Sequence, residues 1–327
     1  MEVKFKKAKN IDSFPIFLSE KFLKTESDNF GWIVGYIDGD MIAILPYFIY
    51  TKASFRLLRF TSQTYFLDTS LKDDYEQKFL DMVVDRVGEL GVDTVMHPTT
   101  NVVFDRVPKN SISAPFGTYK VNLKEKEEVL WANLHGRQRY RAKIKKAKKE
   151  GVEIVIDDYD IDEIYKIMCD TFIRSSMSFM SLDKLKNQIK NLDSNVKIFV
   201  ARSQDKVTQG ILIIPFDQKV AYYSHGGNID GAIAGTMNYL HWEAMMYFKK
   251  LGLEEYDFVG ARINPQKGSK LEGIQLFKER FGATLQVGYI WKYPVRPIKS
   301  KIFNSLYRVI RDSRGDIIDQ ELARRRA

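Results

Sequence analysis

The chain has 327 residues, 44% hydrophobic and 28% charged, with a formal net charge of +9 and a pI of about 9.2. That balance excludes wholesale disorder and collagen-like repeats, and the single cysteine, Cys169, excludes an internal disulfide. The length exceeds one ordinary hydrophobic core, so two domains are expected, and the charge favours polyanionic partners: nucleic acid, a nucleotide-linked substrate or an anionic membrane face.

The first residues, Met1-Glu-Val-Lys-Phe-Lys-Lys, lack the apolar region of a signal peptide. The longest apolar stretch, Met41 to Tyr50, is interrupted by Pro46 and is half of the ~20 residues that a membrane-spanning helix needs. A cytoplasmic protein is expected, with the inner membrane face as the alternative setting. Gly31-Trp-Ile-Val-Gly-Tyr-Ile, Asp38-Gly39 and Met41-Ile-Ala-Ile-Leu-Pro46 form a hairpin pattern, because Asp-Gly between apolar runs suits a tight turn. An amphipathic helix from Phe79 ends on Leu90-Gly91 and passes into a strand at Val92 to Val95.

The second half repeats the design. Val196 to Arg202 and Gly210 to Pro215 form the hairpin, and a helix through Leu240 ends on Leu251-Gly252 before a strand at Tyr256. The two glycines lie 161 residues apart and the two prolines 169, a near-constant offset that points to duplication. Hairpin, helix, strand is the order of an α/β (α+β) acyltransferase core of the GNAT type, here in tandem. The expected domains are residues 1–135, residues 136–298, and a C-terminal helical segment, residues 299–327. Between the copies a strand over Tyr119 to Leu123 and a helical stretch from Glu125 to Glu150 are expected. In the C-terminal segment Ile302, Phe303, Leu306, Val309 and Ile310 recur at helical spacing. Packing back on the first domain is the main expectation for it, and a membrane-surface helix the alternative.

His97, His135, His225 and His241 show no metal-ligand spacing with one another or with Cys169, and no Gly-x-Ser-x-Gly elbow is present. Neither a metal nor a tightly bound cofactor is expected. Cys169 lies in the apolar periodicity Ile164, Ile167, Met168, Phe172 and reads as a buried structural thiol; His225 reads as structural. Of the thirteen residues Arg137 to Lys149, eight are Arg or Lys. On a helix Arg137, Arg141, Lys145 and Lys148 fall on one stripe, suited to phosphates, while Leu134, Ile144 and Ala147 give a thin apolar contact. The loop Gly260 to Lys270 opens a further helix, and its main-chain N–H groups are candidates to hold an anion.

Leu134-His-Gly-Arg-Gln-Arg-Tyr-Arg, Tyr239-Leu-His-Trp-Glu-Ala, Tyr256-Asp-Phe-Val-Gly260 and Gly273-Ile-Gln-Leu-Phe-Lys-Glu-Arg-Phe-Gly282 together resemble, in order and spacing, the Fem-type (FemX/FemAB-like) peptidyltransferases. The resemblance covers roughly residues 120 to 290. It implies two GNAT-like domains, a C-terminal helix returning to the first, and transfer of an aminoacyl group from aminoacyl-tRNA to an amine of a cell-wall or cell-surface precursor. It further implies Lys278 as the cation that stabilises the tetrahedral oxyanion and Asp257 as a group that orients or deprotonates the amine. Thr171, Arg174 and Tyr223 are implied as acceptor contacts, with Arg137, Arg141, Lys145 and Lys270 holding the polyanionic donor.

Two stretches depart from the related patterns. Thr61 to Asp68 has no Gly-Pro element, and Asn228 to Gly235 lacks the pyrophosphate loop of coenzyme A-using GNAT enzymes. The expected alternatives are an acyl-coenzyme A-dependent N-acyltransferase acting on an amino sugar or surface glycan, and a non-catalytic nucleic-acid-binding module.

Overall fold

The computed structural model describes residues 1–6, 14–135, 140–310 and 315–326. The chain divides into two compact units, one of residues 1–117, 260–263 and 287–327, the other of residues 118–259 and 264–286. The division falls at Gly117/Thr118, inside the strand Ile112–Asn122, rather than at 135/136. The reason is local: residues 120–122 pair with the strand Glu255–Asp257, which ties them to the second unit.

In the first unit the strands Glu2–Lys6, Phe30–Ile37, Asp40–Lys52, Phe55–Phe60 and Thr94–Val95 are neighbours in that order. The first four pair antiparallel and the last parallel. Asp38 and Gly39 both take positive φ, +51° and +95°, the turn that the Asp-Gly pair demands. The helix Lys72–Arg86 lays Phe79, Leu80, Val83 and Val84 onto Ile33, Leu45, Leu58 and Phe60, and Gly91 closes its 3-10 extension in the left-handed conformation. The C-terminal helix Pro297–Ile310 buries Phe303 against Phe55, Leu57 and Met96, and Ser300 bonds Thr94 and the Asp93 carbonyl. A last helix, Ile317–Arg326, is tied down by buried ion pairs: Lys292 to Asp316 at 2.7 Å, and Arg262 to Glu321 at 2.6 Å.

In the second unit the strands run His225–Asn228, Thr208–Pro215, Val196–Arg202, Glu153–Ile156, all antiparallel. Every residue of Thr208–Pro215 is buried, because helices cover both faces. A Cβ added at Gly227 would meet Thr171 and Met168 of the helix Ile161–Ile173, whereas one added at Gly210 would meet Met237 and Leu240 of the helix Thr236–Lys250. Since successive strand residues face opposite sides, these contacts assign one helix to each face.

The expected helix over Glu125 to Glu150 is two helices, Glu127–Asn133 and Tyr140–Lys149. Leu134 is extended, and the His135 N–H donates to the Arg280 carbonyl, which takes the chain out of helical hydrogen bonding. Cys169 is half-buried rather than fully enclosed.

Candidate active site

The chemistry predicted for the second unit gathers around one turn. Strand Glu255–Asp257 pairs parallel with Val220–Tyr222 and antiparallel with residues 120–122, which leaves Asp257 at its C-terminal end. The Asp257 carboxylate accepts a hydrogen bond from the Thr118 hydroxyl and another, at 2.7 Å, from the Val259 N–H. Val259 has φ +41°, a left-handed conformation that a β-branched side chain takes up only under constraint. Its carbonyl in turn accepts a hydrogen bond from the Lys278 ammonium, on the helix Lys270–Glu279. Asp257 and Lys278 thus grip the N–H and the C=O of one strained residue.

Both charges lie deep, Asp257 at 2% exposure and Lys278 at 6%. Burial pushes the Lys278 ammonium down to about 8, opposed by the Asp257 charge. Burial holds the Asp257 carboxyl above its ordinary value, opposed by the Thr118 hydroxyl, by Lys120, by the Val259 N–H and by Lys278. The pair is a cation ready to lose its proton near neutrality and a carboxylate already occupied by two donors.

Aromatic rings wall this centre. His241, fully buried, lies edge-on to Tyr223 at 4.5 Å between centroids and within 5.1 to 5.4 Å of Phe258, Phe277 and Phe281. Its Nδ1 is 2.9 Å from the Tyr256 hydroxyl. Burial, aided by the Lys278 charge, takes the imidazole down to about 3, so it is neutral at pH 7. Burial lifts the Tyr223 phenol to about 12, and the Tyr223 N–H donates to the Asp257 carbonyl. Asp257 and Lys278 therefore meet on one residue, and Tyr223, expected beside Thr171 and Arg174, lies next to them instead. Thr118, Val259 and His241 join them and were missed. His241 lies in the Tyr239-Leu-His-Trp motif and Val259 in Tyr256-Asp-Phe-Val-Gly260, but neither motif announces the part its residue plays here.

Thr171 and Arg174 form a separate cluster. The Arg174 guanidinium donates to the Thr171 hydroxyl at 3.0 Å and to the Asn228 carbonyl, and the Asn228 N–H donates to Thr171. A Cβ at Gly226 would meet Tyr223, one at Gly227 would meet Thr171, and adjacent strand residues face opposite ways. Thr171 therefore lies on the other face of the strand His225–Asn228 from Tyr223, and the three do not line one surface. His225 shares the Thr171 face, packed against Phe172 and Phe179, and burial takes its imidazole down to about 4.

Of the residues expected at a polyanionic donor, Arg137 lies outside the described residues. Arg141 and Lys145 stand on the helix Tyr140–Lys149, half-exposed and exposed, while Tyr140, Ile144 and Ala147 are buried beneath. Lys148 is paired with Glu243 at 3.1 Å and lies over the Tyr239 ring, so the stripe has one neutralised member. Lys270 is exposed on the first turn of its helix, but the loop before it is not an open anion cradle. The Ser269 hydroxyl accepts from the Glu272 N–H, and the Glu272 carboxylate accepts from the Gly268 N–H at 2.6 Å. That reciprocal cap takes up two of the N–H donors there and sets a negative charge beside them. Among the described residues no group of His, Cys, Asp or Glu is arranged to hold a metal ion.

The model of the acetyltransferase (GNAT) domain matches residues 135–266. The Lipid II:glycine glycyltransferase of Staphylococcus haemolyticus (strain JCSC1435) is 22% identical over 182 residues, covering 49% of this chain and 43% of that relative. This chain thus spans less than half of that relative's length. The crystal structure of FemX superposes with a TM-score of 0.66 at 14% identity, over 88% of this chain and 94% of FemX. Residues 135–266 thus match a GNAT-type acetyltransferase domain, and the chain shares the fold of FemX. The structure of L-PGS from Bacillus licheniformis shares the fold, with a TM-score of 0.52 at 13% identity over 83% of this chain and 85% of that one. The matched GNAT domain contains Asp257 and the residues around it except Lys278, Phe277, Phe281 and Thr118, which the chain supplies from beyond the match.

Proposed function

We propose that this chain is an amide-forming acyltransferase that moves an aminoacyl group from aminoacyl-tRNA to an amine of a cell-wall or cell-surface precursor. The observation that carries the reading is the buried Lys278 ammonium, poised near pH 8 and held beside Asp257 at the end of a strand. When the amine attacks the ester carbonyl, a C–N bond forms and charge gathers on the carbonyl oxygen; the C–O bond then breaks and the tRNA hydroxyl leaves with a proton. A preorganised cation in a water-poor site lowers the barrier to that intermediate. Asp257, with Thr118 and the Val259 N–H on its carboxylate, serves to hold the turn and the cation in place, a positioning task rather than proton abstraction. The glycyltransferase relative, named for a transfer of glycine to lipid II, supports an aminoacyl donor and a lipid-linked acceptor.

A second reading, an acyl-coenzyme A-dependent N-acyltransferase, draws on the acetyltransferase description of the matching domain. Against it, Asn228 to Gly235 lacks the pyrophosphate loop of coenzyme A-using GNAT enzymes. Single-turnover transfer and tRNA affinity, both measured on Lys278→Ala, test the proposal. A rate loss of about 10²- to 10³-fold with affinity unchanged is expected. Unchanged turnover removes Lys278 from the mechanism, and tRNA binding without any transfer by the native chain would favour a non-catalytic binding module.

A further inference from the structure

The C-terminal helix Pro297–Ile310 has two apolar faces, and among the described residues only one is covered. Phe303 is buried against Phe55, Leu57 and Met96, and Ser300 is buried on its bonds to Thr94 and the Asp93 carbonyl. Ile298, Ile302, Leu306 and Val309 are exposed at 78%, 49%, 51% and 78%. At about 100° per residue these four fall within an arc of about 80°, whereas Phe303, Tyr307 and Ser300 follow about 60° to 120° further round. Single exposed apolar residues are ordinary on a surface; four in a row on one helix face are not.

The surroundings of that stripe are cationic. Among the described side chains, Arg296, Lys299 and Lys301 are cations on or just before this helix, and from Pro297 to Ile310 the sequence has no carboxylate. Arg296 and Lys299 share the single carboxylate of Asp93, at 3.1 and 3.3 Å, so that cluster keeps a net positive charge. Lys301 is exposed, and Lys52 lies over the Tyr307 ring, adding a cation from a neighbouring strand. An apolar stripe flanked by cations fits the boundary of an anionic lipid leaflet, where the side chains enter the acyl region and the cations meet headgroups. A protein partner would need carboxylates around an apolar groove, and a second copy of this chain would bring the same positive charge against itself.

We propose that the exposed face of Pro297–Ile310 seats the protein on an anionic lipid surface. The inference does not rest on the transfer reaction, and its test contains no substrate. The full chain is centrifuged with vesicles of phosphatidylcholine alone or mixed with phosphatidylglycerol, at low and high salt. Binding to the mixed vesicles alone, weakened by salt, is expected. Ile302→Glu with Leu306→Glu, both at exposed positions, is expected to weaken binding at least tenfold with an unchanged unfolding transition, and Lys301→Glu to weaken it severalfold, about what one headgroup contact is worth. Failure of the native chain to bind the anionic vesicles overturns the proposal. Unchanged binding by the double variant does so as well. A native dimer that the double variant converts to monomer would assign the face to a second copy and equally overturn it.

Discussion

Lys278 carries its charge in a place where an ammonium is costly, and that cost sets two pH dependences. If the charged form stabilises the oxyanion, single-turnover transfer falls as pH rises through about 8, and Lys278→Ala is slow without that limb. Stability runs the other way. Below about 8 the lysine is protonated in both folded and unfolded chains and its burial penalty is present in full. Between about 8 and the ordinary 10.5 the unfolded chain binds the extra proton, so unfolding free energy rises with pH by roughly 3 kcal/mol across that window. Denaturant titrations should find that rise in the native chain and lose it in Lys278→Met. A third residue test concerns the strained turn: Val259→Gly relieves the φ of +41°, and a gain of order 1 kcal/mol in unfolding free energy is expected, with slower transfer because a glycine turn holds the carbonyl of residue 259, and with it Lys278, less rigidly. At this scale the sequence disclosed Lys278 and Asp257, since they sit in ordered motifs. Thr118 was hidden because a lone strand threonine has no pattern, and Val259 because nothing in a Phe-Val-Gly run announces a left-handed valine.

Among the elements, hairpins and helix ends were legible wherever a residue type answers a backbone demand: Asp38-Gly39 in its turn, and Gly91, Gly151 and Gly252 at positive φ after their helices. The break at Leu134 was not legible, because its cause is a hydrogen bond to Arg280, remote in sequence. The cap on the helix Lys270–Glu279 had a sequence signal in Ser269-Lys-Leu-Glu272, and it turns an apparent anion loop into a self-satisfied one. The basic helix Tyr140–Lys149 is joined to the helix Thr236–Lys250 by Lys148 on Glu243 and Tyr239, and Gly235, with φ +95°, leaves no room for a Cβ beside the Lys143 carbonyl. Gly235→Ala is therefore expected to lower unfolding free energy by about 2 kcal/mol or more, through strain and displacement together. Arg141→Glu with Lys145→Glu should leave stability unchanged while weakening tRNA binding and flattening its dependence on salt, read from affinities over a salt series.

For the molecule as a whole, the duplicated acyltransferase pattern was readable because apolar periodicity and glycine placement recur at a near-constant offset. The division of the chain was not, since Ile112–Asn122 continues unbroken through the point where one unit gives way to the next. Nor does sequence periodicity say which face of Pro297–Ile310 is covered: Phe303 and Ile302 are both apolar and adjacent, and packing alone separates them. One fold can host more than one chemistry, so the acyl donor decides the function. The direct measurement offers the purified chain charged tRNA and acyl-coenzyme A in parallel, each with a cell-surface precursor amine, and quantifies the amide formed. Amide from charged tRNA, lost in Lys278→Ala, is the expected result; amide from acyl-coenzyme A alone would contradict the account.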